Sequence, residues 1–189
     1  MIVGLGNPGP DYSHNRHNVG QMVLEMLAKR LGVSFKSSKS NALVAESKLG
    51  VGFDAPKIVL AKPLSFMNNS GGPVTSLMKF YDIKSDHLIV LHDELDIDAN
   101  TVRIKFAGGH AGHNGLRDII AATGSPDFIR VRIGIGRPPG SMEVSDFVLK
   151  DFSTTEKKEL PVTLEIAADA VEAIAQEGLT AAQQKYHSL

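Results

Sequence analysis

The residues in this chain best suited to chemistry are a histidine, an aspartate and a set of asparagines, all in glycine-rich settings. His17 stands in RHNVG (16–20) and Asp93 in HDELD (92–96). Asparagines recur in GLGNPG (4–9), FMNNSG (66–71) and GGHAGHNG (108–115). An imidazole titrates near ~6.5, which suits it to take a proton from water around neutrality. His17 comes just before an amphipathic segment. The positive end of that helix is expected to disfavour imidazolium and keep the ring neutral. Asp93 ends an apolar run, LIVLHD, where an unpartnered carboxylate would be costly. A histidine partner would satisfy it, fix the ring's tautomer and stabilise imidazolium as it forms. Taken alone, His17 is equally a capping or surface residue. The amides of Asn7, Asn68 and Asn114 donate and accept together, so they could hold a peptide main chain or share the charge of an oxyanion. Each alone is equally a turn former.

Other chemistries fit less well. The chain has no cysteine, which removes disulfides, thiolate metal sites and cysteine nucleophiles. Ser65 and Ser70 lie near FMNNSG, but the G-x-S-x-G elbow of a serine hydrolase is missing. His110 and His113 stand three apart, with His92 and Asp93 available. Their glycine-rich segment is a poor helix for displaying two ligands, and no H-E-x-x-H occurs, so no metal is expected. GLGNPG follows a strand, yet Pro8 and Pro10 break the dinucleotide-binding pattern; a tight Gly/Pro turn holding Asn7 is expected instead.

Elements able to gather these segments can be read from periodicity. Strands are expected over 1–5, 42–49, 57–62, 87–92, 101–106 and 129–135; IVLA and LIVL read as buried strands. IRVRIGIG alternates, which predicts one buried face and an open arginine face. Helical stripes run through 19–31, stopped by Gly32, and through 72–81 and 115–123. One or two further helices occupy 155–187, and loops are expected near 34–41, 50–56 and 137–142. Strands alternating with helices over 189 residues predict a single α/β domain spanning 1–189, with helices on both faces of its sheet. In such sheets ligands bind beyond the carboxyl ends of the strands, where the five motifs would converge.

The net charge of −1 hides an uneven distribution. Residues 101–140 carry Arg103, Lys105, Arg117, Arg130, Arg132 and Arg137 against Asp118 and Asp127, whereas 82–100 is acidic. Such a basic field can attract phosphate, although solvated surface charge would look the same. No apolar run approaches the ~20 residues that span a bilayer, and MIVGLGNPGP lacks the basic start of a signal peptide. No membrane association and a cytoplasmic location are therefore expected.

GLGNPGPDY, RHN, FMNNSG, HDELD and GGHAGHNGLRDI, in this order and at these intervals, closely resemble the bacterial peptidyl-tRNA hydrolase family, from Met1 to about Gln184. The resemblance implies a monomeric enzyme with a twisted mixed, largely parallel sheet, acting without metal or other cofactor. Its substrate would be peptidyl-tRNA, cleaved at the ester joining peptide to tRNA. By motif position, His17 would be the base, Asp93 its partner, and Asn7 a further catalytic amide. Met67, Asn68, Asn114 and His113 would contact substrate, Tyr12 would edge the site, and Lys105 with Arg132 would grip phosphate. Asn15 departs from the family, which usually has Thr there. A noncatalytic RNA-binding protein on the same scaffold is the alternative; loss of the His–Asp pair would mark it, and both residues are present.

Overall fold

A computed structural model describes residues 1–187. Ile2–Gly4 forms β1, at the centre of the sheet. β4 (Lys57–Pro63) and β5 (Ile89–Glu94) flank it in parallel, and β7 (Ile129–Gly134) continues in parallel beyond β5. Antiparallel strands close both edges. β3 (Ala42–Lys48) and β2 (Lys36–Ser38) follow β4, and β6 (Val102–Phe106) follows β7, giving the order β2-β3-β4-β1-β5-β7-β6. The sheet is thus mixed, with its parallel pairings in the middle.

Alternation along the strands builds two cores. Ile2, Leu60, Ile89, Leu91, Val131 and Ile133 face one side and pack against α1 (Val19–Leu31), α5 (Glu156–Glu177) and α6 (Leu179–His187). Val3, Ala61, Leu88 and Val90 face the other, under α2 (Gly71–Phe80) and α3 (Asn114–Thr123). On β6 and β7 that second side carries no apolar residue. Register pairs Arg103 with Arg132 and Lys105 with Arg130, so four cations share it.

Helix α1 lies directly on β1 and β5 because Gly20 has no side chain. A Cβ there would come within 2.3 Å of the Leu91 carbonyl oxygen and 2.8 Å of the Leu5 nitrogen. This close approach seats the turn before α1, and His17 with it, at the carboxyl end of β5. In the GLGNPG segment a glycine again makes room for a neighbour, beside the Gly/Pro turn in which Gly9 takes a positive φ. Gly6 leaves room for the Asn18 side chain, whose Cγ would lie 2.8 Å from an added Cβ.

The structure adds two elements to those expected. Lys36–Ser38, within the expected 34–41 loop, is an edge strand; its Lys and Ser residues show no alternation because they are only partly covered. Val144–Val148 forms a short helix, α4, too brief to leave a stripe in the sequence. The 155–187 stretch divides at Gly178 into α5 and α6. Among the described residues no helix is long and apolar enough to cross a membrane.

Candidate active site

The five motifs meet at the carboxyl ends of β1, β4 and β5, the outermost reach of the parallel core. His17 sits in a 3-10 turn (Arg16–Asn18) that leads into α1. Its Nδ1–H donates to Asp93 Oδ1 at 2.8 Å, across 76 positions of sequence. A carboxylate only accepts, so this bond places the proton on Nδ1 and leaves Nε2 with a lone pair. Nε2 has no protein partner among the described residues, and His17 lines a cavity of about 200 Å³ with Asp93, Glu94, Leu95, the 110–114 segment, Val144, Ser145 and Val148. Orientation by a buried carboxylate and a second ring nitrogen left without a protein partner, in a residue that lines a cavity, are what a general base requires.

His113 also reaches Asp93. Its Nε2–H donates to the same Oδ1 at 3.0 Å, while Leu116 N–H donates to its Nδ1 at 3.4 Å. Both ring nitrogens are therefore engaged inside the protein, and the ring lies 4.8 Å from that of His17. Sequence reasoning assigned His113 to substrate contact; its spacing from Asp93 gave no sign of this second bond.

The electrostatics follow from these contacts. Burial alone would push the Asp93 carboxyl up, but His17 and His113 outweigh it and hold the group well below the ordinary carboxylate range. Burial lowers His17, yet the adjacent Asp93 charge and hydrogen bond prevail, and its pKa stands above 6.5. This corrects the expectation of a ring kept neutral by a helix end: a carboxylate at hydrogen-bond distance outweighs a partial charge there. His92 is fully buried, donates from Nδ1 to the Asp93 carbonyl at 2.8 Å, and is pushed down to about 3, chiefly by burial.

Asn7 is held by three bonds. Its N–H donates to Asn18 Oδ1 at 2.9 Å, its carbonyl accepts from Asn18 Nδ2 at 2.9 Å, and its Oδ1 accepts from Met67 N–H at 2.8 Å. Only the side-chain NH₂ remains for another acceptor, so Asn7 is preset as a donor. Asn18, one residue beyond His17, was missed as a functional residue, although RHN contains it. Met67 is buried under Gly115, where a Cβ would come within 2.6 Å of Met67 Sδ and 3.2 Å of His113 Cε1. The FMNNSG and GGHAGHNG segments therefore touch. Asn68 and Asn114 are exposed, Asn114 in the cavity wall, and Tyr12 packs edge-on against Phe66 at 6.1 Å. Asn7, Met67, Asn68 and Tyr12 lie outside the cavity lining, in the segments that follow β1 and β4.

The arginine face of β7 is not open as expected. Arg130 is 2% exposed; its guanidinium donates to the carbonyls of Gly108 and Gly109 and lies 4.8 Å from the Phe128 ring, anchoring the loop that carries His113. Arg132 is half-buried, and its Nε donates to Glu94 Oε2 at 3.0 Å. Arg137 pairs with Asp96. The basic stretch is therefore partly neutralised. Lys105 stays exposed with no ion-pair partner among the described residues, and Lys105 and Arg132 stand outside the cavity.

The wall formed by α4 is fastened to the His17 turn. Arg16 bonds Glu156 at 2.6 Å and the carbonyls of Phe147 and Lys150 at 3.2 Å, and lies 4.3 Å from the Phe147 ring centroid. Asn15 Nδ2 donates to Asp151 Oδ1 at 2.7 Å, a second link between this turn and the segment that follows α4.

The ligand-type atoms of His17, Asp93 and His113 lie within 4.8 Å of one another. Both rings already deliver protons to one carboxylate oxygen, and an ion would have to displace both. His92 and His110, the other histidines considered from sequence, do not join this group.

A family model described as peptidyl-tRNA hydrolase matches residues 1–189. A protein named peptidyl-tRNA hydrolase from Arthrobacter sp. (strain FB24) is 62% identical, covering 100% of this chain and 96% of the relative. One of the same name from Paenarthrobacter aurescens (strain TC1) is 60% identical over 99% and 95%. The crystal structure of peptidyl-tRNA hydrolase from Acinetobacter baumannii superimposes with a TM-score of 0.89 at 35% identity, covering 98% of this chain and 92% of that one.

Proposed function

As a member of the peptidyl-tRNA hydrolase family this chain hydrolyses peptidyl-tRNA, and we propose that His17 performs the reaction by activating water. The observation that carries this reading is the His17 Nδ1–Asp93 Oδ1 bond of 2.8 Å at a cavity that both residues line. His17 Nε2 takes a proton from water, and the resulting hydroxide attacks the ester carbonyl. Asp93 stabilises the imidazolium. The preset NH₂ of Asn7 donates to the developing oxyanion, and the proton held by His17 passes to the departing ribose oxygen.

The remaining residues divide by position. Met67, Asn68, Asn114 and His113 border the peptide and ester, His113 through its ring carbons since both nitrogens are engaged. Tyr12 edges the site. Lys105 and Arg132 bind phosphate at the tRNA end, with Glu94 fixing the direction of the Arg132 guanidinium. The reaction requires no metal, and the protein acts as a monomer in the cytoplasm. Hydrolysis of a peptidyl-tRNA in the presence of EDTA tests the core of this reading. The wild-type chain should release peptide, and a folded His17→Ala variant should release almost none. Equal release by both, or abolition by EDTA alone, would reject it.

A further inference from the structure

Asp93 is bound by two histidines, and the mechanism above uses only one. We propose that His113 is a positioning residue that shares the Asp93 oxygen with His17, and so limits how tightly Asp93 holds the His17 proton. This deepens, and rests on, the reading of His17 as base.

Three contacts carry it. His113 Nε2 and His17 Nδ1 meet the same atom, Asp93 Oδ1, at 3.0 and 2.8 Å. The His113 tautomer is fixed from the other side, because Leu116 N–H occupies Nδ1 and leaves the ring's proton on Nε2, facing the carboxylate. The ring is also fixed in place: His92 packs against it edge-on with centroids 5.1 Å apart, and Arg130 clamps the carbonyls of Gly108 and Gly109 in the same loop.

A carboxylate oxygen that accepts one hydrogen bond has less negative charge to offer a second. A base that gives up its proton too reluctantly is protonated, and idle, around neutrality. With Asp93 as sole partner in a buried site, His17 would approach that condition. The second donor draws on the same carboxylate charge and so lowers the basicity that Asp93 confers on His17. The other charged or titratable groups around His17 are themselves engaged. Glu94 is bound to Arg132, His110 Nδ1 accepts from Gly112 N–H, and across the α4–α5 wall Asp151 and Glu156 are bound to Asn15 and Arg16.

The test separates the donor from mere packing. His113→Leu removes the proton donor while filling the space; His113→Gln keeps an N–H where Nε2 stood. The His17 titration is followed by NMR in the full-length chain labelled with ¹⁵N-histidine, assigned by loss of the signal in His17→Ala, alongside the pH profile of kcat/KM. The Leu variant should raise the His17 midpoint by about half a pH unit or more, and the acid limb of kcat/KM should rise with it. The Gln variant should keep both midpoints, the His17 titration and the acid limb, near those of wild type, whatever its kcat/KM. Equal shifts in Leu and Gln, or no shift in either, would overturn the proposal. NMR is readable whatever activity survives. If the wild-type kinetic limb failed to coincide with the His17 midpoint, the base assignment itself would be at fault.

Discussion

Replacing Asp93 by Asn isolates the charge of the carboxylate from its geometry. The Asn Oδ1 can still accept from His17 at 2.8 Å and from His113 at 3.0 Å, so both rings keep their places. What disappears is a negative charge in contact with His17. A neighbouring opposite charge typically moves a pKa by about 1–3 units. Asp93 raises His17 above 6.5 against the lowering effect of burial. Without it burial prevails, and the His17 midpoint should fall below ~6.5. The sign of the kinetic effect follows. Wild-type kcat/KM should climb with pH through a midpoint above 6.5, as imidazolium gives up its proton. In the variant the climb should come earlier and end lower, because a less basic ring accepts the water's proton less readily and imidazolium is no longer stabilised. A positioned base contributes ~10²–10⁴-fold. The variant keeps the ring and loses only its support, so the decrease should be about 10–10²-fold and smaller than for His17→Ala. The assay is steady-state peptidyl-tRNA hydrolysis from pH 5 to 9, with circular dichroism to verify the fold. An unmoved acid limb, or a loss exceeding that of His17→Ala, would refute the division of roles.

Other outcomes follow from the same contacts. Lys105→Ala should raise KM with little change in kcat and reduce the dependence of log KM on log salt by about one phosphate contact; an unchanged salt slope would remove Lys105 from the tRNA interface. Asn18→Ala removes two bonds that hold Asn7 at 2.9 Å; denaturant unfolding should show a loss of about 1–3 kcal/mol, with kcat falling more than KM changes. Gly20→Ala places a methyl group within 2.3 Å of the Leu91 carbonyl oxygen, and thermal unfolding should show destabilisation of about 1–3 kcal/mol or more; an unchanged Tm would mean α1 need not lie so close to β1.

The sequence foretold the architecture where burial imposed a period. The LIVL and IVLA runs became β5 and β4; of the stripe Val19, Met22, Val23, Met26, Leu27 and Leu31, the structure buries Val19, Val23 and Leu27 and half-buries the rest, and it also buries Leu24, which lay outside that reading. The His17–Asp93 meeting was legible too, because a carboxylate at the end of a buried strand needs a partner. Details that depend on three-dimensional choice were not. Alternation predicted the Arg130 side as open, but alternation reports which residues share a face and not whether a loop covers it; the Gly108–Gly109 carbonyls cover Arg130. The bond from His113 to Asp93 joins a loop to a strand end, and loop conformation leaves no periodic trace. The clamp of Asn18 on Asn7 depends on space left by Gly6, which the sequence shows only as a glycine. The His17 pKa was misjudged from one neighbour, the helix end, before the stronger neighbour could be placed.

The most direct measurement of the central claim is rescue of a ring-deleted enzyme. His17→Gly, folded as judged by circular dichroism, should hydrolyse peptidyl-tRNA at least ~10²-fold more slowly than wild type. Added imidazole should restore part of that rate in proportion to the concentration of its unprotonated form. A His17→Gly enzyme of near wild-type activity would contradict the account.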